Sequence, residues 1–177
     1  RDLNPRQTWE INRALSNGLP VLMAVQAHEY SYQPGQRGGW TITGNAIETG
    51  LSELLGGLGL TVVRDHLLDA NSQMLELPRE VNLGGMRMQV REPVEAPVQI
   101  RITQNQVNQD QPVTNHIGQL LYLWGTPVQA DPARLSEHGL ESEVLVSSSE
   151  RSWLADFGGG MLSATQMDPA GKEMTGP

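Results

Sequence analysis

Two stretches of the chain repeat one order of features: a helical pattern, a glycine-containing turn and a continuous apolar run. In the first stretch Asn4-Pro5 opens the predicted helix, because asparagine caps helix N-termini and proline is tolerated at the first helical position. Asn17-Gly18 ends this helix, with the glycine in the left-handed conformation, and the apolar run 21–25 follows. Such a run is typical of a strand that is buried on both faces of a parallel sheet.

The second stretch predicts the same pair of elements. Apolar residues fall at helical spacing from Ile47 to Leu58, Gly59 closes the helix, and residues 60–63 form another apolar run. Residues 120–124 and 144–146 are predicted as further buried strands. Alternation of helices and buried strands predicts a layered α/β fold, with a mostly parallel sheet and helices on both faces.

The middle of the chain departs from this pattern. Residues 86–90 and 98–102 alternate weakly between apolar and polar side chains, which indicates a β-arm or edge strands within a β-rich insertion at about 74–115. Residues 28–44 and 105–115 are predicted as loops because they are polar or rich in glycine. Three glycine pairs are predicted as turns that need positive φ: Gly38-Gly39, Gly56-Gly57 and Gly84-Gly85.

The length of 177 residues favours one domain. We expect residues 1–160 to form this domain and residues 161–177 to form an extended tail. The chain starts at Arg1 directly at a helix entry, without the strand that precedes the helix in a βαβ unit. We therefore expect a fragment of a larger, membrane-anchored protein. No run of about 18 apolar residues is present, so the anchoring segments would lie outside this sequence.

The charge and the absence of cysteine exclude several classes of partner and of chemistry. The net charge is −8 and no stripe of lysine or arginine occurs, which disfavours nucleic acid and an anionic membrane surface as partners. The chain has no cysteine, which excludes disulfides, thiolate catalysis and sulfur metal ligands. We expect no cofactor and no metal. Asp65, His66 and Asp69 have side chains that bind metals, but their spacing fits no helix or strand face, and a solvated turn is the preferred interpretation.

Four segments carry a family resemblance in their order along the chain. Residues 6–26 contain a predicted helix, a glycine and then a strand, and residues 50–69 contain Leu-Leu, a glycine, a strand and then Leu-Asp. Residues 112–127 contain a strand followed by Gly125-Thr126-Pro127, and residues 144–153 contain a strand followed by serines and Trp153. With this order the chain resembles the auxiliary family of the ABC-type uncharacterised transport system, of which the gliding-motility-associated GldG protein is the best-known member.

The resemblance implies both a fold and a role. It implies a flavodoxin-like fold similar to that of class I glutamine amidotransferases. It also implies a non-catalytic accessory domain on the extracytoplasmic (periplasmic) face of the inner membrane, working with the permease and ATPase subunits of an ABC transporter. A related domain in an intraflagellar transport protein has been proposed to bind sugars or partner proteins. The family has no assigned catalytic residues.

Two groups of residues follow predicted strands and form the candidate ligand-binding site. The carboxyl ends of strands in open α/β sheets line the ligand crevice, where hydroxyls and aromatic rings can hold a carbohydrate or a peptide. The alternatives are helix capping for the serines, and packing on a neighbouring subunit or on Trp40 for the histidine and tyrosines. The candidate residues are His28, Tyr30, Tyr32, Ser147, Ser148 and Ser149.

Rival functions remain open from the sequence. A protein-assembly module or a sugar-binding module fits the same features. A degenerate amidotransferase-like hydrolase is disfavoured, because there is no cysteine nucleophile and no Gly-x-Ser-x-Gly elbow. The chain is therefore predicted not to be an enzyme.

Overall fold

The computed structural model describes residues 3–34, 40–162 and 164–176, without the side chains of residues 32–34, 40, 77, 79, 92, 94, 164 and 165. The helices are α1 (Pro5–Ser16), α2 (Ser52–Leu58), α3 (Pro132–Glu137) and α4 (Ala164–Met167), with a 3-10 turn at Gln104–Gln106. The strands are β1 (His28–Pro34), β2 (Trp40–Ala46), β3 (Leu60–Val62), β4 (His66–Asp69), β5 (Ser72–Leu83), β6 (Met86–Thr103), β7 (Gln119–Leu123), β8 (Val128–Ala130), β9 (Ser152–Ala155) and β10 (Gly160–Met161).

The first helix forms as its sequence predicts. The side chain of Asn4 accepts a hydrogen bond from the backbone N–H of Gln7, and the Gln7 side chain accepts one from the Asn4 N–H, both at 3.0 Å. This reciprocal capping box satisfies two amide donors that no helical carbonyl can reach. Gly18 follows the helix with a φ of 73°. In the described part of the chain no helix has the length and apolar character needed to cross a membrane.

The sheet architecture contradicts the flavodoxin-like prediction. Every strand pair in the described residues is antiparallel, and the strands form four small sheets in the orders β1-β2-β10, β3-β8, β4-β9 and β5-β6-β7. The predicted parallel sheet with helices on both faces is therefore wrong. An apolar run signals burial but does not specify the direction of the neighbouring strand, which depends on residues far away in the sequence.

Several predicted elements change accordingly. Residues 21–25 belong to no strand, and Leu22 is 98% exposed. Residues 28–44 lie largely in the antiparallel hairpin of β1 and β2 rather than in a loop. Residues 60–63 do supply a strand, β3, but it pairs antiparallel with β8. Residues 120–124 overlap β7, which is exposed instead of buried, and 144–146 contribute one bridge between Val107 and Val146.

The glycine turns are confirmed where the chain reverses or a helix ends. Gly59 ends α2 with a φ of 91°, and Gly84-Gly85 joins β5 to β6 with φ values of 60° and 91°. Two consecutive positive φ values suit the tight turn of a β-hairpin. Gly56-Gly57 lies inside α2, so its prediction as a turn is wrong. Gly38-Gly39 lies outside the described residues.

The predicted β-arm is confirmed as a long hairpin. Strands β5 and β6 pair without interruption from Met74 opposite Glu95 to Leu83 opposite Met86. We call residues 74–95 the β-arm. At about 3.3 Å per residue its ten pairs span roughly 30 Å. Below the arm, the remainder of β6 enters the core.

The core lies where β4, β9 and the lower part of β6 meet. Leu68, Trp153, Val98 and Ile100 are completely buried, and Trp153 donates from Nε1 to the carbonyl of Gln166 at 3.3 Å. Residues after 160 also contact this region. Leu162 is buried, and the backbone N–H of Thr175 donates to the carbonyl of Ser152 at 2.8 Å.

Candidate functional site

Five rings from separate parts of the chain form a cluster beside the core. His28 and Tyr30 lie two residues apart on β1 and therefore face the same side of the strand. His66 comes from the start of β4, Trp124 follows β7, and Phe157 follows β9. The ring centroids of Tyr30 and Trp124 are 4.3 Å apart, those of His28 and Phe157 are 5.0 Å apart, and those of Tyr30 and His66 are 5.2 Å apart. We call this set the ring cluster.

One hydrogen bond holds polar atoms inside the ring cluster. The Tyr30 hydroxyl and Nδ1 of His66 are 2.8 Å apart. Burial raises the pKa of Tyr30 above its usual range, and burial followed by the neighbouring His28 lowers the pKa of His66 to about 4. Tyr30 therefore stays protonated and donates, while His66 stays neutral with its proton on Nε2. His66 Nε2 is buried and has no hydrogen-bond partner among the described residues.

The predicted serines lie at a second place. The carboxylate of Asp69 is buried there and accepts from the partly buried Ser149, from its N–H at 2.7 Å and from its hydroxyl at 2.6 Å. The Ser148 hydroxyl is 2.8 Å from that of Ser152. Ser147 is partly buried and donates its backbone N–H to the Gln106 carbonyl at 2.9 Å. The serines thus connect the segment before β9 to β4 and to the 3-10 turn.

The predicted site residues fall into two separate groups. Tyr30 contacts His66 at one end of β4, with His28 beside Tyr30, and Ser149 contacts Asp69 at the other end. Three residues of a strand separate these ends by about 10 Å. The side chain of Tyr32 lies outside the described residues. Ligand binding by these six residues stays a prediction. Tyr30 and Ser149 hydrogen-bond within the chain, to His66 and to Asp69. Strand β9, not a helix, follows the serines, so the helix-capping alternative is wrong.

The residues considered as metal ligands are arranged for packing. Asp69 is completely buried and also accepts from the Asn71 N–H at 2.7 Å, while His66 points its Nδ1 at Tyr30. Both side chains lie in β4 rather than in a solvated turn, so that interpretation of His66 and Asp69 is wrong. Among the described residues no group of three or more potential ligands is placed to hold a metal ion.

A third feature lies on the β-arm. Residues opposite each other in an antiparallel pair share a face, so Val81 with Met88 and Leu83 with Met86 lie on one side of the arm. Val90 has the same parity as Met88 and continues this face. The exposed fractions are 61% for Leu83, 69% for Met86, 48% for Met88 and 37% for Val90. We call these five residues the apolar face.

The other side of the β-arm is polar. Asn82 opposite Arg87 and Glu80 opposite Gln89 alternate with the pairs of the apolar face. The weak alternation of 86–90 indicated a strand, but it did not show which face would be covered. The opposing strand supplied the missing half of the pattern, because Val81 and Leu83 become part of one surface only through the register of the hairpin.

Comparison with known proteins gives one result. The sequence model of one family, described as an ABC-type uncharacterized transport system, matches residues 1–174. No curated protein and no solved structure gives a significant match. The match spans the ring cluster, the partly buried serines and the β-arm together, and it supports the family part of the resemblance seen in the sequence without defining the GldG-like subtype. The chain therefore belongs to the auxiliary family of the ABC-type uncharacterized transport system.

Proposed function

We propose that this chain is a non-catalytic, extracytoplasmic domain that binds the permease of its ABC transport system through the apolar face of the β-arm. Family membership supports a role with transporter components. The observation that carries the proposed binding mode is the apolar face itself, since Leu83, Met86 and Met88 are each about half exposed or more. Apolar patches of this kind on soluble domains mark interaction surfaces.

The β-arm is longer than a turn that only connects two strands needs to be. A two-stranded hairpin alone is marginally stable in water and normally needs a third strand or a helix against its apolar side. Strand β7 pairs with β6 only at residues 99–103, below the arm. In the described residues the apolar face lacks such a cover, and a bound partner would provide one.

The chemistry of the arm favours binding through its face rather than through its edges. Pro78 and Pro93 lie in the two strands and have no N–H to offer a further strand. Met86 and Met88 have flexible, polarisable side chains that adapt to an irregular apolar surface. On the polar side Arg91 and Glu76 form an exposed ion pair at 3.3 Å, which keeps that side in water. The expected contact is therefore a docked face, apolar at its centre with a polar rim.

Site-specific cross-linking tests this proposal. The full-length protein is produced together with its permease and ATPase, with a photoactivatable residue in place of Met88 or, as the matched control, in place of Arg87 on the other face. We expect the Met88 position to cross-link to the permease at least five times more strongly than the Arg87 position, as measured by mass spectrometry of purified membranes. Equal labelling from both positions, or labelling of lipid alone, would refute the proposed interface.

A further inference from the structure

The outer edge of β7 is open in the described part of the chain. This strand lies at one edge of the β5-β6-β7 sheet and, among the described strands, pairs with β6 alone. All of its residues are exposed, with Leu121 at 43% and Leu123 at 49%. It contains no charged residue and no proline, the features that usually protect an edge strand from pairing with another chain. The β7 edge is therefore a surface for strand pairing.

The hydrogen-bond register shows which backbone groups of β7 face outward. Directly after β7, the N–H of Trp124 donates to the carbonyl of Val98 on β6 at 3.1 Å. Backbone groups alternate in direction along an antiparallel strand, so every second residue back from Trp124 also faces β6. The residues between them, Gln119, Leu121 and Leu123, direct their N–H and C=O groups outward. In the described part of the chain these outward groups have no partner strand.

The outward residues of β7 are arranged symmetrically about Leu121. A second copy of β7 can run antiparallel along the edge, with a twofold axis between the two Leu121 residues. Gln119 then lies opposite Leu123 of the second copy, and each opposed pair exchanges both of its backbone hydrogen bonds. On the other face Leu120 lies beside Tyr122 of the second copy, an aliphatic and aromatic pair of the kind that stabilises antiparallel sheets. Every outward N–H and C=O of both strands thus finds a partner.

The charge of the chain also favours this edge for contact between two copies. Each copy has a formal net charge of −8, so two copies repel each other where their acidic surfaces meet. Strand β7 has no charged side chain, and the stretch of β6 beside it has one, Arg101. Across three strand spacings the two Arg101 residues would lie roughly 14 Å apart, beyond the screening length of about 8 Å at physiological ionic strength. Pairing at β7 therefore avoids contact between like charges.

We propose that two copies of this chain form a homodimer by antiparallel pairing of their β7 strands about Leu121. The two sheets join into one continuous sheet in the order β5-β6-β7-β7-β6-β5. The assembly stops at two copies, because the other edge strand, β5, carries Pro78 and the charged residues Glu76 and Glu80. This inference does not rest on the proposed contact between the β-arm and the permease.

Sedimentation velocity of the 177-residue chain tests the dimer. The paired strands are much shorter than the roughly 20–30 residues a side of a standard interface, so we expect reversible association with a Kd of about 1–100 μM. Leu121→Lys sets two like charges directly opposite each other at the twofold axis, and we expect it to raise the Kd about tenfold or more. The matched control Val113→Lys adds the same charge at a loop position that is 77% exposed and should leave the Kd unchanged.

Two outcomes of the sedimentation experiment would overturn the proposal. One is a wild-type chain that stays monomeric up to about 500 μM, well above the expected Kd. The other is an equal effect of the two lysine substitutions, because a change in net charge alone would then explain the weaker association.

Cysteine cross-linking tests the register of the pairing, because the chain has no cysteine of its own. In the dimer, Leu121→Cys places two thiols across a hydrogen-bonded pair with Cα atoms about 5.5 Å apart, within the roughly 4.4–6.8 Å range of a disulfide. Leu123→Cys, on the same face of the same strand, is the matched control. Its two thiols would be offset along the strands by four residues, or roughly 13 Å.

The rates of disulfide formation decide between the proposed register and any other contact. Under mild oxidation, followed by non-reducing electrophoresis, we expect Leu121→Cys to form linked dimers about ten times faster than Leu123→Cys. Equal rates, or faster linkage of Leu123→Cys, would show that the two copies do not pair about Leu121.

Discussion

Buried polar residues show best how single side chains are used in this protein. The sequence placed Tyr30, His28 and the serines at strand ends, where a ligand crevice was expected. In the structure the Tyr30 hydroxyl bonds His66, and the carboxylate of Asp69 receives two hydrogen bonds from Ser149. A buried polar atom needs a partner, and in these cases another part of the chain supplies it. The residue types were informative about polarity but not about which group would satisfy it.

His66 should make stability depend on pH in a defined window. Its pKa is lowered from 6.5 to about 4 in the folded state, chiefly by burial. Above pH 6.5 the imidazole is neutral in both states and has no effect. As pH falls from 6.5 towards 4, the unfolded chain gains a proton that the folded chain does not bind, so stability falls by about 3 kcal/mol.

Urea unfolding at pH 7, 5.5 and 4 measures this effect against two variants. His66→Phe retains an aromatic ring without a titrating group, and we expect it to lose about 3 kcal/mol less than the wild-type protein between pH 7 and pH 4. Val113→Gln changes an exposed side chain that does not titrate and should follow the wild-type curve. Parallel curves for wild type and His66→Phe would show that this histidine does not titrate on unfolding.

Elements with a strong local signal formed as predicted. Helix α1 has its cap, its proline and its closing glycine within the segment itself, and the Gly84-Gly85 turn needs only the two strands beside it. Elements that were predicted only from a continuous apolar run did not form as predicted. Residues 21–25 form no strand and β7 is exposed, because burial of such a run depends on what the rest of the chain brings against it.

Two glycines should respond in opposite directions to the same substitution. Gly84→Ala puts a side chain at a φ of 60°, which costs about 1–2 kcal/mol in a non-glycine residue and should speed amide exchange in the β-arm. Gly57→Ala lies in α2, where an added Cβ meets no atom within 4 Å. We expect the Gly57→Ala variant to be more stable by about 0.5–1 kcal/mol in urea unfolding. Faster amide exchange in the β-arm of Gly57→Ala, or unchanged exchange in the β-arm of Gly84→Ala, would contradict this assignment of the turn and the helix.

Stability in the whole molecule is distributed unevenly. Buried apolar residues concentrate where β4, β9 and the lower part of β6 meet, whereas nearly all described side chains from Glu76 to Glu95 are exposed. Local opening costs little where few apolar contacts must be broken. The arm and the core are parts of one hairpin, yet they should behave as separate units of stability.

Amide exchange followed by NMR tests this division in the native protein. We expect backbone amides between residues 80 and 91 to exchange at least a hundred times faster than those of Leu68, Ile100 and Trp153, since the core amides require global unfolding. Residues 98–102 of the same strand β6 serve as the internal control. Similar protection along the whole of β6 would mean that the arm is held by contacts that the structure does not show.

The sequence alone determined the local events and the family: where α1 begins and ends, where the β-arm turns, that no thiol chemistry is available, and that the chain resembles an ABC transport family which residues 1–174 do match. Only the tertiary structure decided that the strands pair antiparallel in small sheets, that His66 joins Tyr30, and that Val81 and Met88 share an exposed face. The physical reason is how far apart in the sequence the stabilising contacts lie. A cap or a turn is stabilised by neighbours a few residues away, whereas strand direction, burial and the partner of a buried polar atom depend on contacts between residues tens of positions apart.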